Sequence, residues 1–512
     1  MKRLYFTAFA GGMISLALEL AAARLLAPAF GTTEVVWSAI IGLILLYLSV
    51  GYVIGGRWAD RAPCAATLYT LLVAAGATIA VIPLAARPLL RVAAQGMLAW
   101  NLGLLAGPFV VILILFAAPV TLLACVSPFV IRLSLNDVAA AGGMSGRIYA
   151  VSTLGSFIGT FLPNLALIPN LGTRRTFFTL ALLAAATGLW GLWAADRKRF
   201  WRLAWMLLVL GALFALNPGT IKPQTGLIYE TESTYNFIQV VEYARGARHL
   251  LLNEGQGIHS VFQPGDEILT GGPWDYYLIA PYFNPAPHLP KQVDSMLVIG
   301  LAAGTSPTQY TAVYGPIPID GVEIDPAIVQ VGREYFGMTQ PNLTVHIADG
   351  RTYLLQTTKQ YDVVAVDAYR LPYIPWHLTT VEFFQQVREH LTAEGVVAIN
   401  VGHTPGVGGA PDDWRLVNAM VATMRQVYPS VHVIAVPESL NAIVVATVQD
   451  TTPQNLSANL PGLTDARLRQ VTESARDNLR MPSASALVFT DDRAPVEQLT
   501  HALALRYILG IQ

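Results

Sequence analysis

The residues best able to do chemistry lie in an ordered set of glycines and acids between positions 300 and 377. Gly300-Leu301-Ala302-Ala303-Gly304 is a small-residue turn that lets a ligand approach the backbone closely. Glu323 stands 23 residues after Gly300, an offset at which an acid suits the hydroxyls of a ribose. Asp349-Gly350 follows, placing an acid where a nucleobase would be held. In that order, Gly300 and Gly304, then Glu323, then Asp349 and Gly350 describe a nucleoside pocket. Asp367, Asp275, Tyr276 and His377 are the candidates for proton transfer, and His377 has the reference titration nearest neutrality. Glu19 stands apart, an acid inside a long apolar run, with Arg24 five residues on as its expected partner.

These groups need a scaffold, and the hydropathy pattern supplies one. From about residue 295, strand patterns at 295–300, 319–324, 343–348, 362–367, 396–401, 431–436 and 443–448 alternate with helical patterns, among them 326–336, 380–390 and 414–428. Alternation of this kind predicts an α/β Rossmann fold, a right-handed, doubly wound parallel sheet. Such sheets bind ligands at the carboxyl ends of their strands, near the switch point. Ahead of it, a period-two pattern from 226 to 262 predicts short strands at 236–243, 249–253 and 258–262. The expected organisation is a helical membrane domain over 1–217, a small β part over 226–290 and the Rossmann domain over 291–512.

Composition separates the first of these from the rest. The 512 residues are 54% hydrophobic and 13% charged, against about 25% charged in soluble proteins. The formal net charge of −1 hides an asymmetry. Residues 1–217 hold 15 Lys and Arg against 5 Asp and Glu, a net of +10; residues 218–512 hold 17 against 28, a net of −11. The basic charges are scattered between apolar runs, which excludes a nucleic-acid surface. The two cysteines, Cys64 and Cys125, both fall in the apolar half, so the acidic half has neither a disulfide framework nor a cysteine-based zinc site, and no metal site is expected.

Seven segments are long and apolar enough to span a bilayer: 5–29, 35–56, 67–86, 107–131, 148–169, 174–195 and 201–217. The first reads as a membrane helix, not a cleaved signal. Residues 88–106, with Arg91, Gln95 and Asn101, read as an interfacial or re-entrant helix. Counting Lys and Arg in the loops places ten on the cytoplasmic side and four outside, which puts the acidic half outside the cytoplasm. Gly55-Gly56-Arg57-Trp58-Ala59-Asp60-Arg61 resembles the cytoplasmic loop between helices two and three of major-facilitator transporters. Gly155 and Gly159 form a small-xxx-small pair suited to close helix packing.

Over roughly residues 228–450 the chain resembles spermidine synthases, the polyamine aminopropyltransferase family. Glu232-Ser233-Thr234-Tyr235-Asn236 resembles the family's entry to its small sheet, and Leu251-Leu252-Asn253-Glu254-Gly255-Gln256 its next motif. Val298-Ile299-Gly300, Val322-Glu323-Ile324-Asp325 and the run from Tyr361 to Asp367 resemble its first, second and fourth strands. As a whole the chain resembles bacterial membrane-fused spermidine-synthase-like proteins, on Asp367-Ala368-Tyr369, Ile374-Pro375-Trp376-His377-Leu378-Thr379 and Thr490-Asp491-Asp492-Arg493-Ala494-Pro495.

The resemblance implies a methyltransferase-like fold that binds decarboxylated S-adenosylmethionine as co-substrate, with S-adenosylmethionine and methylthioadenosine as related ligands. It also implies a polyamine or other amine as acceptor, and Gln256 joins the nucleoside-binding set. A lipid bilayer is the expected surrounding of the apolar half, a homo-oligomer through the synthase-like domain is an expected assembly, and an inner-membrane location follows. The resemblance places that domain in the cytoplasm, whereas the loop charges place it outside. Three departures stand out. Ala303 replaces the Asp that holds the aminopropyl ammonium; Arg370, or Pro372 in the subgroup's spacing, replaces the second Asp after strand four; Trp274-Asp275-Tyr276-Tyr277 replaces a Tyr-His-Glu segment. Asp367, Asp275, Tyr276, His377 and Asp491 are then expected to form a reorganised polar site. Two functions fit these residues: a membrane-bound aminopropyltransferase or related S-adenosyl-donor transferase, and a non-catalytic transporter-like, scaffold or sensor protein.

Overall fold

The computed structural model describes residues 1–30, 34–100, 106–135, 141–216, 224–253, 257–369, 374–404, 412–500 and 502. They form two compact units. One comprises Met1–Gln224 with Glu230–Phe237; the other comprises Thr225–Tyr229 with Ile238–Gln512.

The first unit is helical: α1 (Lys2–Phe30), α2 (Glu34–Arg61), α3 (Ala65–Trp100), α4 (Ala106–Ala124), α5 (Val126–Ser134), α6 (Ala141–Leu162), α7 (Ile168–Ala195), α8 (Arg197–Leu203) and α9 (Trp205–Leu216). Among the described residues, six helical segments are long and apolar enough to cross a membrane. The fifth has 55 residues. As one straight helix it would be about 80 Å long, against about 30 Å of bilayer hydrocarbon. It is broken at Gly172, where φ is 77° and ψ is 163°, a conformation that favours glycine. The limbs on either side pack on different helices. Gly155 and Gly159 of α6 lie against Phe9 and Met13 of α1 in ascending order, so those helices are parallel. Gly76 of α3 lies against Ala181 and Ala185 of α7 while Gly188 lies against Tyr69 and Val73, so those two are antiparallel. The segments expected at 148–169 and 174–195 are thus two limbs of one apolar stretch.

Two expectations for this unit are corrected. Residues 88–100 are not a separate interfacial helix, because α3 runs unbroken to Trp100 through Pro83 and Pro88. Each proline removes one backbone bond without ending the helix; residues 101–105 lie outside the described residues. Arg24 does not serve Glu19. Its guanidinium donates to the carbonyls of Ser233, at 3.1 Å, and of Thr234. Beside it, the Glu232 carboxylate accepts from the Thr173 backbone N–H and, at 2.6 Å, from the Thr173 hydroxyl. A helix restarting after a break exposes unbonded N–H groups, and this carboxylate caps the first.

Beyond the helices the chain carries two sheets. The strands are β1 (Leu227–Glu232), β2 (Phe237–Glu242), β3 (Arg248–Leu252), β4 (Ile258–Phe262), β5 (Met296–Ile299), β6 (Ile319–Glu323), β7 (Leu343–Ile347), β8 (Tyr361–Val366), β9 (Leu391–Gly402), β10 (Ser430–Ala435), β11 (Asn441–Thr447) and β12 (Leu479–Arg480). The first four form one sheet in chain order, and the other eight form a sheet ordered β12-β10-β11-β9-β8-β5-β6-β7. Strands β7, β6, β5, β8 and β9 are parallel neighbours. The sheet is nevertheless mixed, not wholly parallel as alternation predicted: β11 is antiparallel to both β9 and β10. Only residues 436–440 join β10 to β11, too few for the crossover that a parallel return requires.

The helices between strands include α10 (Pro273–Tyr277), α11 (Thr305–Tyr314), α12 (Pro326–Tyr335), α13 (Gly350–Gln356), α14 (Val381–Glu389), α15 (Arg415–Met424), α16 (Gln454–Asn459) and α17 (Ala466–Asp477). Two apolar clusters cover the sheet, one with Ile299, Val364, Phe383 and Met420, the other with Tyr277, Val298, Ala365 and Leu468. Residues of β5 and β8 alternate between them, which fixes the register of the central strands. The chain leaves β5 for β6 on one side and returns as β8 on the other, so the switch point lies at the carboxyl end of β5, at Gly300.

Candidate functional site

Four acids stand at or just beyond the carboxyl ends of neighbouring strands. Glu323 ends β6, Asp325 follows it, Asp349 follows β7 and Asp367 follows β8. Gly300 is at φ 89°, and a Cβ there would come within 2.6 Å of the backbone of Asp367 and Ala368. The turn after β5 therefore presses directly on the segment after β8. Gly304, at φ 90°, starts α11.

Glu323 is 7% exposed. One carboxylate oxygen accepts from the Ala302 N–H at 2.9 Å and the other from the Asp325 N–H at 3.1 Å. Burial nonetheless dominates and pushes its pKa up to about 7. A carboxylate offers about four acceptor positions. The backbone takes two of them, one on each oxygen, and the rest stay open to a ligand.

Asp349 caps α13 by accepting from the Thr352 N–H at 3.0 Å, and its other oxygen meets His377 Nε2 at 2.9 Å. The His377 hydrogen bond, above all, holds the Asp349 pKa down to about 2. Gly350 opens α13, and a Cβ there would come within 2.3 Å of the Ile299 side chain. The two segments that the sequence singles out at 374–379 and 490–495 converge on this helix. Arg351 forks onto Asp491 with bonds of 2.7 and 2.6 Å and also donates to the His377 carbonyl at 3.3 Å. Thr380 Oγ1 donates to Asp491 at 2.8 Å. Because the pair is partly exposed, Arg351→Met is expected to cost about 1 kcal/mol, a fall of about 2–4 °C in a thermal melt of the full chain. An unshifted melt would show that the fork does not hold these segments.

Asp367 is only partly accessible. Asn400 Nδ2 donates to it at 3.0 Å, and Trp274 and Tyr277 lie close enough to favour its charged form. Burial outweighs these bonds and raises its pKa to about 6. Asn400 is buried on β9, and its Oδ1 has no partner among the described residues. An acceptor left bare beside a carboxylate suits a ligand that donates, such as an amine.

The polar residues expected in one cluster are distributed among several. Asp275 is buried and accepts from Thr270, Gly271 and Gln309, so its carboxylate is consumed in shaping the loop before α10. The Tyr276 hydroxyl meets Ser474 of α17 at 2.9 Å. His377 belongs to Asp349 and Asp491 to Arg351. The residues that attend Asp367 are instead Trp274, Tyr277 and Asn400, which sequence reasoning missed. Trp274 and Tyr277 are three apart on α10, a spacing that puts both on one helix face. That spacing was legible. Asn400 could be found only from the pairing of β8 with β9, which sets Val366 opposite Ile399 and so brings Asn400 level with Asp367.

Ala303 is buried with Ile238, Val240 and Leu250 against the small sheet. Its backbone N–H donates to the Ser260 hydroxyl at 2.9 Å. Gln256, Arg370 and Pro372 lie outside the described residues. Among the described residues, no group of three or more His, Cys, Asp and Glu is placed to hold a metal ion.

The family described as the spermine/spermidine synthase domain matches residues 308–458. A probable polyamine aminopropyl transferase of Bifidobacterium longum (strain NCC 2705) is 30% identical over 308 residues, covering 55% of this chain and 64% of that protein. A polyamine aminopropyltransferase of Vibrio vulnificus (strain CMCP6) is 28% identical over 256 residues, covering 46% of this chain and 77% of that protein. The chain thus spans less than two thirds of the Bifidobacterium protein's length. The crystal structure of a probable spermidine synthase from Corynebacterium glutamicum ATCC 13032 aligns at a TM-score of 0.39 and 20% identity, over 52% of this chain and 99% of that one. The matched residues lie in the C-terminal part of this chain, behind the helical region.

Proposed function

We propose that this chain is a bilayer-anchored aminopropyltransferase, in which the second unit moves an aminopropyl group from decarboxylated S-adenosylmethionine to an amine. The observation that carries the reading is the pair of burial-shifted carboxylates at adjoining strand ends. Glu323 accepts one backbone bond on each oxygen and keeps acceptor positions open for a ribose, and Asp367 lies beside the bare Asn400 oxygen. Gly300 sits between them at the switch point. The apolar length of the helical segments supports the anchor.

The proposed chemistry balances without a further reactant. The acceptor amine gives up a proton to Asp367, and its nitrogen lone pair attacks the methylene beside the sulfonium. The carbon–sulfur bond breaks, its electrons stay on sulfur, and methylthioadenosine leaves. Asp367 passes the proton to water. A base suits this role when its pKa lies near the working pH, which Asp367 meets at about 6. Asp349, held near 2, stays charged throughout and supplies a fixed acceptor for the base of the nucleoside.

The decisive experiment is calorimetric titration of the full chain in detergent with methylthioadenosine and with decarboxylated S-adenosylmethionine. Binding tighter than millimolar is expected for both, and failure of both sinks the reading. Glu323→Gln should weaken methylthioadenosine by about 10–100-fold, since a bond to a charged acceptor is worth about 1.5–3 kcal/mol. The pH dependence has a definite sign. The competent form of Glu323 is the carboxylate, which becomes populated as pH rises through about 7. Affinity should therefore climb between pH 6 and 8 in the native chain and stay flat in the Gln variant. A flat native profile would remove Glu323 from the site.

A further inference from the structure

The helical unit holds an ionisable group that the synthase domain does not account for. Glu19 lies on α1 within a 26-residue apolar segment. Its side chain is half-buried, and among the described residues it has neither a hydrogen bond nor an ion pair. Arg24, the cation on the same helix, is committed to the Ser233 and Thr234 carbonyls. An unanswered carboxylate in apolar surroundings is costly and is retained where it has work to do.

The level of Glu19 in the bundle can be read from the packing. Ser156 Oγ donates to the Gly12 carbonyl at 3.2 Å. Because α1 and α6 run parallel, the same pairing two turns on falls on Glu19 and Pro163. Pro163 begins a widened turn, Pro163–Leu167, in which the Ile168 N–H reaches back five residues to the Pro163 carbonyl. Helix α1 packs against this turn. Such π turns are frequent at functional sites. Pro163 has no N–H to offer the Gly159 carbonyl. Asn164 follows, and its Oδ1 is buried with no partner among the described residues. Two unanswered acceptors, one of them a carboxylate, thus fall at one level of the bundle.

The missing component is a donor carrying positive charge. We propose that Glu19 and the Pro163–Leu167 turn form a binding site for the primary ammonium end of an alkylamine. An ammonium brings one charge, which Glu19 balances, and three N–H donors, which oxygen acceptors of this kind satisfy. The site stands on the helical unit alone, so it holds or fails independently of the synthase reading.

The test uses the full chain in lipid nanodiscs. A hydrophobic carbodiimide, which modifies carboxyls in apolar surroundings, is applied with and without 1,4-diaminobutane, and labelling of Glu19 is read by mass spectrometry. The diamine is expected to shield Glu19, with sodium chloride at equal ionic strength giving no shielding. Asn164→Leu should raise the diamine concentration needed by about 10–100-fold, the loss of one hydrogen bond to a charged group. Shielding by sodium alone, or none by the diamine, overturns the proposal. Glu19→Gln should remove the label while the thermal melt of the full chain stays native, which shows that the variant is folded without calling on the synthase reading.

Discussion

Asp367→Asn is expected to lower turnover by about 10²–10⁴-fold while leaving methylthioadenosine affinity unchanged, the range that loss of a positioned general base produces. The substitution keeps the shape of the side chain and an oxygen that can still accept from Asn400 Nδ2, now 3.0 Å away. It removes only the capacity to take a proton. In the native chain the rate should rise with pH through about 6, where Asp367 ionises, and that limb should vanish in the Asn variant.

Stability distinguishes this role from a structural one. The folded-state pKa of Asp367 lies above its ordinary value, because burial disfavours the charged form. The stability this gives is complete below the unfolded pKa and is lost as pH rises through about 6. At pH 8 the native protein carries a charge that its surroundings disfavour, and the Asn variant does not. The variant should therefore melt at an equal or higher temperature at pH 8 while turning over far more slowly. A variant that is less stable and equally active would assign Asp367 to the scaffold instead.

The second large effect is expected at Gly300. Its φ of 89° is a region that residues with a Cβ avoid, and the added carbon would stand 2.6 Å from the Asp367 and Ala368 backbone. Gly300→Ala therefore forces the ends of β5 and β8 apart. The conformational cost alone is about 1–2 kcal/mol, and displacement of packed backbone adds to it, for a total of about 3 kcal/mol or more. Both proposed subsites border this turn, so donor affinity and turnover should fall together. Thermal melting and methylthioadenosine titration on one sample check both. A variant with native stability and affinity would mean that the turn can relax without moving either strand end.

Much of this architecture was legible in the chain. The shift from apolar runs to period two and then to alternating strands and helices marks the helical region, the small sheet and the Rossmann-like part. It does so because each element must bury an apolar face with its own period. Glu323 and Asp349 were legible because a strand followed by a turn exposes its last residue at the sheet's carboxyl edge. The antiparallel β11 was less so, since strand pattern records burial and not direction; the short link after β10 held that information instead.

The sequence by itself determined which elements form and which acids end their strands, because hydrophobic period and turn chemistry are local properties of the chain. Only the tertiary structure decided what those acids meet. Asp275 and Tyr276 looked like chemistry but are bonded to Gln309 and Ser474, while Tyr277, Trp274 and Asn400 attend Asp367. In the helical unit, Arg24 left its expected partner for two carbonyls more than 200 residues away in the chain. Hydrogen-bond partners are chosen by proximity and burial in three dimensions. A charge that is solvated, paired or stranded can look identical in the sequence.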